Sequence, residues 1–217
     1  MSRALAAFRH NLRPFLLIQA GALAFVALFY LWPTFAAAST AAGEIKAKSG
    51  LIGAALATAF ASFAVPEGAK RLTRMPGSSR ADALFQIAFF MIIGVMVDVF
   101  YQLLGVVVGR GTDVATVAKK VLIDQAVASP LLFMPYSALA FAWRDFGFSF
   151  RRLRAEWWTE LRRRWPAIVG MGWLFWGPVL SGIYALPSGV QFIMFLCAQA
   201  AWSLLLVWLA DDRKVGT

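Results

Sequence analysis

Histidine and cysteine are almost absent from this sequence. His10 and Cys197 are the only residues of their types. No intrachain disulfide can form, and a zinc site built from the usual cysteine and histidine ligands has too few donors. A Ser-His-Asp or Cys-His arrangement would have to recruit His10, which lies in a basic stretch outside any apolar run. Cys197 falls within the last apolar run and reads as a small buried hydrophobe. Charge is scarce as well, at 15% of residues, against about 25% in soluble domains. The sequence carries no Walker-type phosphate loop. These absences exclude a disulfide scaffold and a zinc enzyme of the usual cysteine and histidine kind, and they argue against ATP-driven transport. No catalytic residue, metal or cofactor is expected.

What fills the chain instead is apolar side chain. Of 217 residues, 60% are hydrophobic, and the mean hydropathy is +0.68. A soluble domain of this length has no interior large enough to hide that much apolar surface, so the composition implies a membrane protein. Six apolar stretches stand out: Phe15–Trp32, Leu51–Val65, Leu84–Val108, Val121–Ala142, Ala167–Leu186 and Val190–Ala210. A helix crosses the hydrocarbon in roughly 17–25 residues, and in lipid every backbone polar group must be satisfied within its segment. All six therefore read as helices, the short Leu51–Val65 borrowing flanking residues. The expected fold is all-α: a polytopic transmembrane helix bundle of about six hydrophobic helices plus a basic amphipathic interfacial helix. Residues 1–48 read as a basic N-terminal tail with an extra transmembrane helix, and residues 49–217 as the main bundle.

The net charge of +10 is distributed unevenly. With alternating crossings, one side carries Arg3, Arg9 and Arg13; Lys70, Arg71, Arg74 and Arg80; the arginines between Arg144 and Arg164; and Arg213 with Lys214. The other side carries Lys46, Lys48, Arg110, Lys119 and Lys120. By the positive-inside rule both termini lie on the positive side, the matrix or cytoplasm. This accounts for the basic balance without nucleic acid. The first stretch has two further readings. Its arginines, apolar run and Ala36-Ala37-Ala38 have the layout of a cleavable signal, and the lack of acidic residues before Glu44 suits a mitochondrial presequence. A retained helix is the expectation adopted.

Between Arg144 and Trp165, Phe150, Leu153, Trp157 and Leu161 recur at helical spacing. Arg151, Arg152, Arg154, Arg162 and Arg163 fall largely on the other side, and Trp158 and Trp165 extend the apolar one. This pattern predicts a basic amphipathic helix in the interface, its arginines toward lipid phosphates.

Asp98 is the costliest residue, since a lone charge at mid-membrane is unfavourable by roughly 2.5–3.5 kcal/mol on insertion scales. Gly94, Asp98, Tyr101 and Gly105 share a helix face, with Gln102 flanking it. Gly105 and Gly109 form a small-xxx-small pair suited to close helix approach. Two readings fit: a polar strip lining a pathway, or a buried Asp98 bonded to a neighbour such as Tyr101 or Gln125. Asp124 and Gln125 open the fourth stretch, where a carboxylate complements the helix dipole as a cap. Pro130 and Pro135 bend that helix, Trp165-Pro166 begins the fifth, and Pro178 kinks it.

The run from Lys119 through Asp124-Gln125 to Pro130 resembles the D-Q-x-x-x-x-P signature of the Mpv-seventeen family, which includes the twenty-two-kilodalton peroxisomal membrane protein. Gly94, Phe100 and Tyr101 are similar to its G-P-x-x-H-x-W-Y segment, with Val95 and Asp98 replacing the proline and histidine. Trp165-Pro166, Trp176, Pro178, Pro187, Trp202 and Trp208 fit the C-terminal half, although Gly177 splits the W-P pair and the N-F pair is missing near Ile183-Tyr184. Lys46-Ala-Lys-Ser-Gly50-Leu resembles the start of the family's first helix, with Leu56 and Ala57 where its G-D pair would stand.

The resemblance implies a small α-helical protein of the mitochondrial inner, peroxisomal or a bacterial inner membrane. It also implies channel-like permeability for small solutes; the polar residues within the spans themselves give Asp98, Tyr101, Gln102, Asp124 and Gln125 as the lining candidates of a seam between helices. The alternative is a non-catalytic accessory subunit of a larger membrane complex. Membrane lipids, a second copy or that complex are the expected partners.

Overall fold

The computed structural model describes the backbone from Ser2 to Val215, and side chains are described for residues 15–205 except 167, 168 and 171. His10, Arg3, Arg9, Arg13, Trp208, Arg213 and Lys214 therefore lie outside the described side chains. Eight α-helices follow in order: α1 (Ser2–Leu31), α2 (Pro33–Ala59), α3 (Val65–Leu72), α4 (Arg80–Val107), α5 (Val114–Ile123), α6 (Met134–Asp145), α7 (Phe150–Tyr184) and α8 (Ser188–Val215). Two π-helical segments join neighbours without a loop, Phe60–Ala64 between α2 and α3 and Asp124–Phe133 between α5 and α6.

Among the described residues four helical runs are long and apolar enough to cross a membrane: Pro33–Leu72, Arg80–Val107, Val114–Asp145 and Ser188–Leu205. They fit an integral, multi-pass membrane protein. Large apolar side chains point outward from three of these runs, Ile52, Leu84 and Leu131 each being at least 70% exposed. Such outward apolar side chains suit a lipid solvent rather than water. Cys197 is also exposed on α8, not buried as expected.

Several boundaries differ from the sequence expectation. The short Leu51–Val65 stretch lies within the forty-residue run Pro33–Leu72, which supplies the borrowed flanks. This run breaks at Gly50, whose φ of 58° and ψ of −145° interrupt the helical backbone. A positive φ is cheap for glycine alone. Phe15–Leu31 is a shorter apolar helix. The fifth stretch does not begin at Pro166. It continues from the basic segment as one 35-residue helix, α7, with Pro166 and Pro178 inside it.

The chain divides into two compact units. The first comprises Met1–Tyr101 and Leu186–Thr217, the second Gln102–Ala185. The composition boundary at 48/49 falls inside α2 rather than between units. In the first unit Ala54, Ala55, Phe89, Ile93, Val97, Phe192, Met194 and Phe195 are buried; in the second Leu104, Ala138, Ala142, Phe175, Val179 and Ile183 are.

Candidate functional site

In the first unit the glycine, aspartate and tyrosine of α4 present one face, as their spacing requires. Gly94 makes the close helix approach: a Cβ there would lie 2.5 Å from the Ala54 carbonyl oxygen and 2.5 Å from Thr58 Oγ1 of α2. One turn on, Asp98 is 4% exposed and accepts a hydrogen bond at Oδ1 from Lys46 Nζ. The Lys46 ammonium also lies 4.6 Å from the Phe192 ring centroid on α8. The Tyr101 ring meets Phe195 edge-on at 6.3 Å. A buried carboxylate is thus matched by an ammonium, and the ammonium by an aromatic face, which attracts cations. Lys46 is a partner of Asp98 beyond Tyr101 and Gln125, the neighbours named from the sequence.

Sequence reasoning missed Lys46 by counting it as a loop charge. It stands four residues before the Gly50 break, inside a run long and apolar enough to span. The available signal was the cost of Asp98 itself, since a buried carboxylate calls for a cation. Three buried hydroxyls in this unit, Thr58 Oγ1, Ser62 Oγ and Ser203 Oγ, have no hydrogen-bond partner.

The second unit holds the other buried aspartate. Asp124 is 4% exposed, and it does not cap a helix start. The cap of α5 is Asp113, whose side chain accepts from the Thr116 N–H. These bonds hold the Asp113 carboxyl below its ordinary range, the Thr116 side-chain bond first and its backbone bond second. Asp124 comes eleven residues later, where the helix widens into its π-helical segment. There it accepts from Ser129 Oγ at 3.1 Å and from Tyr184 Oη at 2.5 Å. Tyr184 is fully buried at the end of α7.

Pro130 and Pro135 explain the adjoining π-helical segment and two tryptophan contacts. In a π-helix the N–H of residue i donates to the carbonyl of residue i−5, as Met134 does to Ser129. In that register Pro130, lacking an N–H, leaves the Gln125 carbonyl open, and Pro135 leaves the Pro130 carbonyl open. Both are filled from α7. Trp173 Nε1 donates to the Gln125 oxygen at 2.8 Å, and Trp165 Nε1 to the Pro130 oxygen at 3.0 Å. Each indole supplies the donor that one proline removes. The Gln125 side chain itself is enclosed, with neither Nε2 nor Oε1 partnered.

The remaining candidates are placed as follows. Gln102 is exposed. Gly105 lies opposite only the Arg110 side chain, and Gly109 stands beyond α4 at φ 105°, so the pair is not a helix-packing seam. Gly109 instead turns the chain out of α4. An open groove of about 380 Å³ is lined by Val107, Val108, Lys119, Leu122 and Ile123, none of them a lining candidate.

Along α7 the basic residues divide by partner. Glu160 accepts from Arg163 at 2.5 Å and from Arg164 at 2.7 Å, and Arg164 also reaches Asp145 at 2.9 Å. Arg144 holds the other oxygen of Asp145 at 3.0 Å, so this chain of ion pairs ties the end of α6 to α7. The Arg163 bond first, then the Arg164 bond, holds the Glu160 carboxyl below its ordinary range. The Arg152 guanidinium covers the Phe146 ring. Arg151, Arg154 and Arg162 are exposed, as are Trp157 and Trp158.

Among the described residues no group of three histidine, cysteine or acidic side chains is placed to hold a metal ion. Compared with known proteins, the chain matches no family model, and neither a curated protein nor a solved structure is significantly similar to it.

Proposed function

We propose that this membrane protein is a non-catalytic accessory subunit of a larger membrane complex. The observation that carries this reading is the engagement of both buried aspartates. Asp98 is bound by Lys46, and Asp124 by Ser129 and Tyr184. Polar groups held this way fix helices against one another. A solute path needs polar groups turned toward water instead. On this reading the chain is a divergent relative of the Mpv-seventeen family, supported by Asp124-Gln125 and Pro130. It sits in a mitochondrial or bacterial inner membrane with both termini on the positively charged side, and its outward apolar side chains meet lipid and partner helices. The test is solubilisation of native membranes in mild detergent, followed by native electrophoresis. Co-migration with a larger assembly supports the reading; a lone or purely self-associated species overturns it.

A second reading, channel-like passage of small solutes, has one observation in its favour. The partnerless hydroxyls of Thr58 and Ser62 lie in the unit that holds Asp98, and water is the usual partner of such groups.

A further inference from the structure

The contacts of α7 separate its arginines into two sets by partner rather than by exposure. Arg163 and Arg164 are held by Glu160 and Asp145, and Arg152 covers Phe146. Arg151, Arg154, Trp158 and Arg162 follow at spacings of three, four and four, so they form one stripe. All four are exposed, Trp158 by 53%, and the Arg162 guanidinium lies 5.5 Å from the Trp158 ring centroid. The stripe is about 17 Å long at 1.5 Å per residue.

We propose that this stripe is a docking face for the headgroups of anionic phospholipids. Three observations favour a membrane surface. The charge is of one sign along the whole stripe. Phe150 and Trp157, flanking it, are also exposed, and exposed aromatic rings beside arginines suit the headgroup layer. The same helix continues without a break into the apolar sequence after Pro166, about 6 Å along its axis from Arg162. That distance matches the depth of a headgroup layer, and a helix inclined to the surface brings Arg154 and Arg151 to the phosphates as well. The helix start adds a reason of its own. The first turn of α7 contains no acidic residue and carries Arg151 and Arg152 at the positive end of the helix dipole, an unfavourable arrangement that a phosphate relieves.

The test titrates the full-length protein, purified in neutral detergent, with phosphatidylglycerol or phosphatidylcholine and counts bound lipids by native mass spectrometry. Wild type binds phosphatidylglycerol at least about tenfold more tightly. The triple variant R151Q/R154Q/R162Q loses that preference, the expected drop reaching on the order of a hundredfold at about fivefold per arginine near a charged surface. R151K/R154K/R162K keeps it, and so does Arg163→Gln, which removes a cation already paired with Glu160. Circular dichroism establishes that each variant is folded. Equal binding of the two lipids by wild type overturns the proposal. So does preference retained in the glutamine triple variant, preference lost in the lysine one, or stronger binding of duplex DNA than of phosphatidylglycerol.

Discussion

Removing either partner of the Lys46–Asp98 pair leaves the other charge buried without its counterion. Asp98 is 5% exposed at its side chain and Lys46 14%, so neither reaches bulk solvent easily. Breaking a buried pair from one side costs about 3–5 kcal/mol, whereas replacing both members by apolar residues is often neutral. The insertion cost of a single mid-membrane charge, roughly 2.5–3.5 kcal/mol, gives the same scale independently. Asp98→Leu leaves the ammonium over Phe192, a contact worth about 0.5–2 kcal/mol, so it falls at the lower end; Lys46→Met falls at the upper. The double variant Lys46→Met/Asp98→Leu stays within about 2 kcal/mol of wild type. The assay is equilibrium unfolding in mixed micelles with dodecyl sulfate, followed by tryptophan fluorescence and analysed as a double-mutant cycle. Single-variant losses that add in the double variant, to within about 0.5 kcal/mol, would refute the reasoning.

The second unit yields further expectations. Tyr184→Phe removes the bond to Asp124 and destabilises by about 1.5–3 kcal/mol, the range for bonds to charged groups; equal unfolding midpoints would remove Tyr184 from the account. Trp173→Phe leaves the Gln125 carbonyl open at a cost of about 1–3 kcal/mol, and that cost shrinks in a Pro130→Ala background, where a backbone N–H returns; the same unfolding cycle reads the difference. In the first unit, Gly94→Leu drives a side chain into the Ala54 carbonyl and Thr58, and its unfolding midpoint falls by the equivalent of at least about 1–3 kcal/mol. The Glu160 carboxyl is held below its ordinary value of 4.5 by Arg163 and Arg164. A depressed carboxyl contributes stability above its unfolded value that is lost as pH falls through its lower folded value. Wild type therefore loosens along the Glu160–Arg164 stretch of α7 as pH drops below about 4.5, read by hydrogen exchange there. Glu160→Gln loses that step but keeps the acid step at the α6–α7 link, carried by Asp145 through its ion pairs with Arg164 and Arg144.

The helical nature of the chain and most of its apolar stretches were legible because lipid requires internally bonded backbone and long apolar runs. The shared face of Gly94, Asp98 and Tyr101 followed from helical period alone. What escaped was set by distant pairing. Nothing local to Lys46 marks it as the counterion of a residue 52 positions away. Nothing local to Trp165 or Trp173 says that their indoles fill carbonyls opened by Pro130 and Pro135. Asp124 looked like a cap because it stands near the start of the fourth apolar stretch, but Asp113 offered a cap earlier, and the helix was already under way by Asp124. Gly105 and Gly109 matched a packing pattern that extends past the end of α4, so the second glycine serves a turn.

The claim that the buried aspartates fasten helices, and do not line a path, is tested most directly by planar-bilayer recording of the purified protein beside its Asp98→Asn variant. With folding established by circular dichroism, the account predicts silent bilayers for both proteins. Discrete openings in wild type whose conductance or ion selectivity changes in Asp98→Asn would contradict it, because Asp98 would then belong to a water-filled pathway.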